Sequence, residues 1–268
     1  MKDYIKSIID EKADNDTNLN HVREYIQSYF LYTIYRKKYY QNMVFTGGTA
    51  LRFIYGIRRF SEDLDFSLSG RAHGYDFSAM MKDIEREFEL AGYNIEIVSR
   101  AKRTVYTAQL KFSRILFETG LSPLKDKKLM IKIEIDSNPP RGGRESHTLY
   151  NKAFMFYILH YDISSLFAGK LHALLCREYT KGRDWYDLMW YLTKFEDIEP
   201  NYTMLNNAIA QTSAGYPLIS KENWKTELLK AAYALDWEKV RKDVEKFLED
   251  STESALLELG TFKTLLEK

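Results

Sequence analysis

The chain has 268 residues, of which 45% are hydrophobic and 29% charged; this is enough apolar material for a sizeable core and excludes disordered, collagen-like and coiled-coil classes. Thirty-nine Lys and Arg against 38 Asp and Glu give a net charge of +1, so no global attraction draws the protein to nucleic acid or anionic membrane, and such binding must come from local patches. The single cysteine, Cys176, rules out an intramolecular disulfide and a thiolate metal site, and fits a reducing, cytoplasmic setting.

Apolar residues at helical spacing, Tyr4, Ile5, Ile8 and Ile9 and then Val22, Tyr25, Ile26, Tyr29 and Phe30, predict two opening helices separated by the capping cluster Asp16-Thr17-Asn18. Met43-Val44-Phe45 reads as a strand that runs into the turn Thr46-Gly47-Gly48-Thr49 and directly into a helix. Leu64 and Phe66 alternate with Asp63, Asp65 and Ser67, a strand with one acidic face. Phe77 to Ala91 is helical. Strands follow over Ile95 to Ser99, Val105 to Phe112 and Met130 to Asp136, then a loop at Pro139 to Gly143 and an aromatic strand over Ala153 to Tyr161. From Asp162 the pattern is helical, with Ser164 as a cap and breaks near Gly182, Pro200 and Gly215-Tyr216-Pro217. The expected organisation is a mixed α+β half, residues 1–161, followed by an α-helical half, residues 162–268. The longest apolar run, Ala153 to Leu159, is about a third of the ~20 residues that span a bilayer, and the first residues lack the apolar stretch of a signal peptide. No membrane association is expected.

Three constellations carry chemistry. Paired Gly47 and Gly48 between a strand and a helix leave backbone N–H groups uncovered for a phosphate; a purely structural turn is the alternative. Asp63 and Asp65, two apart on a strand, project their carboxylates from one face, where a divalent cation would relieve their repulsion; oxygen donors suit Mg²⁺ or Mn²⁺ rather than zinc. A solvated strand edge is the other reading. Glu134 and Asp136 add a second acidic strand, and if the two strands are neighbours a third carboxylate joins the pair, as two-metal phosphoryl transfer requires; a salt bridge to Lys132 is the structural reading. The third constellation is Lys170, Arg177 and Asp184, spaced by seven along one stripe of a continuous helix unless Gly182 interrupts it, with Asp187 beyond. A basic strip, Arg100, Lys102, Arg103, Lys111 and Arg114 interleaved with Tyr106 and Phe112, fits either single-stranded RNA or a solvated sheet face. The five histidines are scattered, and His160 and His172 read as structural.

Taken in order, Gly47-Gly48-Thr49-Ala50-Leu51-Arg52, Arg59-Phe60-Ser61-Glu62-Asp63-Leu64-Asp65-Phe66, Lys132-Ile133-Glu134-Ile135, and Lys170 through Arg177 to Arg183-Asp184-x-x-Asp187-Leu188 resemble the AbiEii/AbiGii family of nucleotidyltransferase-like toxins. The resemblance implies a DNA polymerase β-like nucleotidyltransferase core with a mixed sheet, joined to a helical domain. On it, Gly47, Gly48, Thr49 and Arg52 position a nucleoside triphosphate, and Asp63 and Asp65 hold Mg²⁺ or Mn²⁺. Glu134 stands at the third carboxylate position, where the family often has Asp, with Asp136 in reserve. Lys170 contacts the triphosphate, Asp184 and Asp187 complete the catalytic set, and Arg177 and Arg183 support nucleotide binding. The implied activity is transfer of a nucleotide to RNA, at the acceptor end of tRNA, by the toxin of a phage-defence (abortive infection) pair with a winged-helix antitoxin. The alternatives are a protein or small-molecule acceptor, or a non-catalytic triphosphate-binding module.

Overall fold

The computed structural model describes residues 2–70, 75–101, 104–213 and 215–267. The helices are α1 (Lys2–Ser7), α2 (Asn15–Arg36), α3 (Gly47–Ala50), α4 (Phe77–Leu90), α5 (Ile115–Glu118), α6 (Ile163–Cys176), α7 (Gly182–Lys194), α8 (Tyr202–Thr212), α9 (Trp224–Tyr233), α10 (Trp237–Glu245) and α11 (Leu259–Leu266). The strands are β1 (Met43–Thr46), β2 (Leu64–Leu68), β3 (Asn94–Ala101), β4 (Val105–Ser113), β5 (Leu129–Asp136), β6 (Glu145–Asn151) and β7 (Met155–Tyr161). The chain divides into two compact units, each assembled from separate stretches. The first comprises Met1–Tyr55, Phe60–Asn138 and Ser146–His160; the second comprises Gly56–Arg59, Pro139–Glu145 and Tyr161–Lys268.

The seven strands form one mixed sheet in the order β3-β4-β5-β2-β1-β7-β6. β2 runs antiparallel to β1 and parallel to β5, while β3, β4 and β5 form an antiparallel series. Strand alternation sends Phe66, Ala108, Leu110, Phe112, Ile131, Ile133 and Ile135 to one fully buried face. Helices α2 and α4 cover that face: Phe30 approaches Phe66 at 6.3 Å, Tyr29 stands edge-on to Phe88 at 4.8 Å, and Phe88 meets Phe112 at 5.1 Å. The opposite face of β3, β4 and β5 is polar and partly exposed. Burial alternates along β5, the second half of β4 and the first half of β3, as a sheet covered on one side requires, and residues 98–101 of β3 are all exposed.

The second unit is helical, with an aromatic core. Phe167 stacks on Tyr191 at 4.5 Å with Trp224 edge-on at 5.6 Å, and Phe262 stacks on Trp237 at 4.9 Å. Four local expectations change. The cap of α2 is Asp14, whose Oδ1 accepts from the Thr17 N–H at 2.7 Å, so Asp16-Thr17-Asn18 lies in the first turn. The cap of α6 is Asp162 rather than Ser164; its Oδ1 accepts from the Ser165 N–H at 2.8 Å. β6 adds a strand where no pattern called for one. The chain also does not run as one helix from Lys170 to Asp184: α6 ends at Cys176 and α7 starts at Gly182. A Cβ on Gly182 would collide with the backbone carbonyl of Val240 in α10, and Asp243 of the same helix accepts from the Gly182 N–H at 2.7 Å. That carboxylate caps α7 from outside its own sequence neighbourhood.

Candidate active site

The carboxylates of the first unit meet through strand register. Asp65 pairs with Glu134 across the parallel β2–β5 contact, and Ser67 pairs with Asp136. Residues directly opposite on neighbouring strands, about 5 Å apart, share a face, so Asp65 and Glu134 stand side by side on the open face. Asp136 sits one pair further along, where its Oδ1 accepts from the Asn138 N–H at 2.9 Å and burial pushes its carboxyl above the usual range. Lys132, two residues before Glu134, lies among the same groups: its Nζ is 2.9 Å from Glu134 Oε1. Burial alone would lower this ammonium, but Glu134, Asp63 and Asp65 together outweigh it and raise its pKa. The salt bridge and the convergence of carboxylates are therefore one arrangement.

The backbone around Asp63 and Asp65 is pinned from behind. Gln27, buried in α2, donates from Nε2 to the carbonyls of Ser61 and Glu62, both at 3.0 Å. Thr49, fully buried, donates its hydroxyl to the carbonyl of Asp63. Gly47 opens α3 with φ +75°, and a Cβ there would stand 3.1 Å from both Cβ and Cγ of Asp65 and closer still to its carboxylate. This turn demands glycine twice, for its dihedral and for the carboxylate seated on it. Arg52, one turn later, is committed to Glu24 at 2.9 Å and lies over the Phe60 ring at 4.6 Å. Nothing local in the sequence marks Gln27, whose partners lie 34 and 35 residues away.

Of the remaining sequence-derived residues, all in the second unit, Lys170, Arg177, Asp184 and Asp187 form a charge network. Asp187, with no exposed surface, accepts from Arg59 Nη2 at 2.6 Å and Nε at 2.5 Å, and from Lys170 Nζ at 2.7 Å. Lys170 also donates to Asp184 at 2.7 Å, and Arg177 closes the chain on the other oxygen of Asp184. Three cations thus surround two carboxylates. Burial would raise the Asp184 carboxyl, but Lys170, Arg177 and Arg59 hold it down to about 2. Lys170, Arg177 and Asp184 meet because the chain folds back between α6 and α7, and Arg59, 128 residues before Asp187, is a member that helical spacing could not reveal. The guanidinium of Arg183 lies 4.1 Å from the centre of the Phe247 ring.

Among the described residues, no three carboxylate, imidazole or thiolate groups stand close enough to enclose a metal ion as they are. The Asp63, Asp65 and Glu134 set nevertheless fits a hard divalent cation. Its donors are all carboxylate oxygens, and it already gathers a positive charge, the Lys132 ammonium, among them.

An acidic strand is seated on a glycine turn, with a second acidic strand in register beside it in a mixed sheet. The family described as nucleotidyl transferase AbiEii toxin, type IV toxin–antitoxin system, matches residues 29–268, and the chain belongs to that family. It is a nucleotidyltransferase of the toxin class, which makes a nucleotide its substrate and an antitoxin its partner. Two solved structures share the fold. A candidate nucleotidyltransferase from H. pylori is 21% identical with a TM-score of 0.53, the match covering 89% of this chain and 92% of that one. JHP933 from Helicobacter pylori is 19% identical with a TM-score of 0.51, covering 91% of each chain. No curated protein matches the sequence. Among the described residues no helix is long and apolar enough to cross a membrane.

Proposed function

We propose that the protein transfers a nucleoside monophosphate from a nucleoside triphosphate to RNA, at the acceptor end of tRNA, in a reaction that depends on Mg²⁺ or Mn²⁺. It acts in the cytoplasm as the toxin of a phage-defence pair, beside a winged-helix antitoxin. The observation that carries the chemistry is the pairing of Asp65 with Glu134, with Asp63 beside them and a cation already drawn into the cluster. Asp63, Asp65 and Glu134 hold the metal, and register favours Glu134 over Asp136 as the third ligand. When bound, the metal neutralises charge on the phosphates as the α-phosphorus is attacked. The acceptor hydroxyl forms the new O–P bond, the bond from the α-phosphorus to the bridging oxygen breaks, pyrophosphate leaves, and the hydroxyl proton passes to a carboxylate of the cluster.

The chain's own residues supply position. Thr49 holds the carbonyl of Asp63, Gln27 holds those of Ser61 and Glu62 just before it, and Gly47 keeps the Asp65 carboxylate against the turn. The buried commitments of Lys170, Asp184 and Asp187 support a scaffolding part for this network within the second unit, where Arg177 is its more exposed cation. The test is incubation of wild type and Asp63→Ala with each α-labelled nucleoside triphosphate, Mg²⁺ and total cellular RNA and protein. Label in the tRNA band, abolished by EDTA and reduced by at least ~10²-fold in the variant, is expected. Near-normal turnover by a folded Asp63→Ala protein would overturn the metal assignment, and label in protein would overturn the acceptor.

A further inference from the structure

The sheet face that carries the carboxylates does not end at β5. Through successive pairings, Arg100 of β3, Thr107 of β4, Glu134 of β5 and Asp65 of β2 form one row across the sheet. The next row is Val98, Gln109 and Lys132, and the one after it Glu96, Lys111 and Met130, with Lys128 just before β5. All share the face opposite the one under α4. Arg100, Gln109 and Lys128 are exposed, and so are two apolar side chains, Val98 at 38% and Met130 at 56%. Lys128 and Lys111 both reach Glu96, at 2.7 and 3.7 Å. Arg100, Lys111 and Lys128 against the single Glu96 leave a charge of +2 on this surface outside the carboxylate cluster.

The aromatic residues of the basic strip do not belong to it. Tyr106 and Phe112 point to the other face, where Tyr106 stacks on Phe77 at 5.3 Å and Phe112 is fully buried. Lys102 and Arg103 lie outside the described residues. What remains is a cationic, open surface that begins at the carboxylates and, among the described residues, bears no stacking rings. Such a surface grips a phosphate backbone by charge rather than a base by its π-face.

We propose that the open face of β3, β4 and β5 is the track on which the RNA acceptor lies, its terminal hydroxyl at Asp65 and Glu134 and its backbone phosphates on Arg100, Lys111 and Lys128. Distances fit: Arg100 is two strands from Glu134, about 10 Å, and the Lys111–Met130 row lies four residues along β5, about 13 Å. These cations meet phosphates a few nucleotides back from the reacting end, while Val98 and Met130 offer apolar rests for riboses. The proposal rests on the reading that the acceptor is RNA.

The test measures binding of an end-labelled single-stranded oligoribonucleotide by fluorescence anisotropy over a salt series, in parallel with nucleotide transfer to total tRNA. The variants are Arg100→Glu/Lys111→Glu and, as a control with the same change in net charge, Lys82→Glu/Arg86→Glu on exposed positions of α4. The face variant is expected to lose at least about tenfold in affinity, and its log–log salt slope to shrink by about 1.4, the equivalent of two phosphate contacts on a single strand. The α4 variant is expected to bind as wild type. Equal losses in both variants, or tRNA labelled equally by wild type and the face variant, would overturn the track while leaving RNA as the acceptor. Label in protein with no RNA bound by wild type would overturn both.

Discussion

Replacing Asp187 by Asn removes one charge from a site with no exposed surface. The carboxylate accepts three charge-assisted hydrogen bonds, two from Arg59 and one from Lys170. Arg59, itself 2% exposed, is left with a neutral amide opposite its guanidinium, whereas Lys170 keeps Asp184. Removing one member of a buried ion pair costs about 3–5 kcal/mol, a large share of the roughly 5–15 kcal/mol that stabilises a domain. Arg177→Met, at the more exposed end of the network, removes one bond from a carboxylate that retains Lys170 and should cost about 1–2 kcal/mol. All four tryptophans, Trp185, Trp190, Trp224 and Trp237, belong to the second unit, so urea unfolding followed by tryptophan fluorescence reports on that unit specifically. The same network sets an acid limit. The Asp184 carboxyl is depressed from an ordinary 3.8 to about 2, so its contribution is complete above about pH 4 and is lost as the pH falls toward 2, an effect on the order of 2 kcal/mol. An Asp187→Asn protein that unfolds within about 1 kcal/mol of wild type would refute the network as a structural element. If that protein had also lost activity, Asp187 would belong to the chemistry instead.

Three further outcomes follow from the first unit. Glu134→Ala should lower transfer by at least ~10²-fold while Asp136→Ala leaves it near wild type; steady-state rates with matched folding controls decide between the two carboxylates, and the reverse order would move the third ligand to Asp136. Gly47→Ala forces a left-handed dihedral worth about 1–2 kcal/mol and pushes Asp65 from its seat, so turnover should fall by about 10²-fold, and an unchanged rate would show that Asp65 need not lie against the turn. Lys132→Gln withdraws the cation that sits among three carboxylates. Calorimetric titration should then find Mg²⁺ bound more tightly by about 1.7 kcal/mol at low salt, the scale of one unit charge against a divalent ion near 5 Å in a water-like medium, whereas unchanged or weaker binding would show that the ammonium does not compete with metal.

Much of the first unit was legible in the sequence because its elements carry their own periodicity. Leu64 and Phe66 alternating with acidic neighbours, and Ile131, Ile133 and Ile135 with theirs, gave β2 and β5 directly. Their adjacency is a long-range fact: nothing in either segment says that Asp65 faces Glu134 rather than Asp136. β6 escaped because Glu145–Asn151 is a polar strand at the end of the sheet, with only Tyr150 buried. The seven-residue spacing of Lys170, Arg177 and Asp184 identified true partners for the wrong reason, since a turn brings them together and the glycine that permits it answers to Val240, 58 residues later. The face of Tyr106 and Phe112 was readable after all. Lys111 and Phe112 are neighbours on one strand and must point apart.

The membership of Arg59 in the helical unit bears on how this protein can be divided. The unit draws on Gly56–Arg59 and Pro139–Glu145 as well as on everything from Tyr161 onward, and Asn201 of its later part donates to the carbonyl of Gly142 at 2.6 Å. During synthesis Arg59 is made long before Asp187, so the buried pair closes only after most of the chain exists. A fragment started at residue 162 carries Asp187 and Lys170 but not the Arg59 guanidinium that pairs with Asp187, and it also lacks the loop that Asn201 holds. Separate expression of the two halves would therefore yield a helical piece whose buried Asp187 keeps Lys170 but has lost both bonds from Arg59. A circular permutant that keeps Arg59 covalently present, opened instead at an exposed helix junction such as 196–197, retains every member of the network.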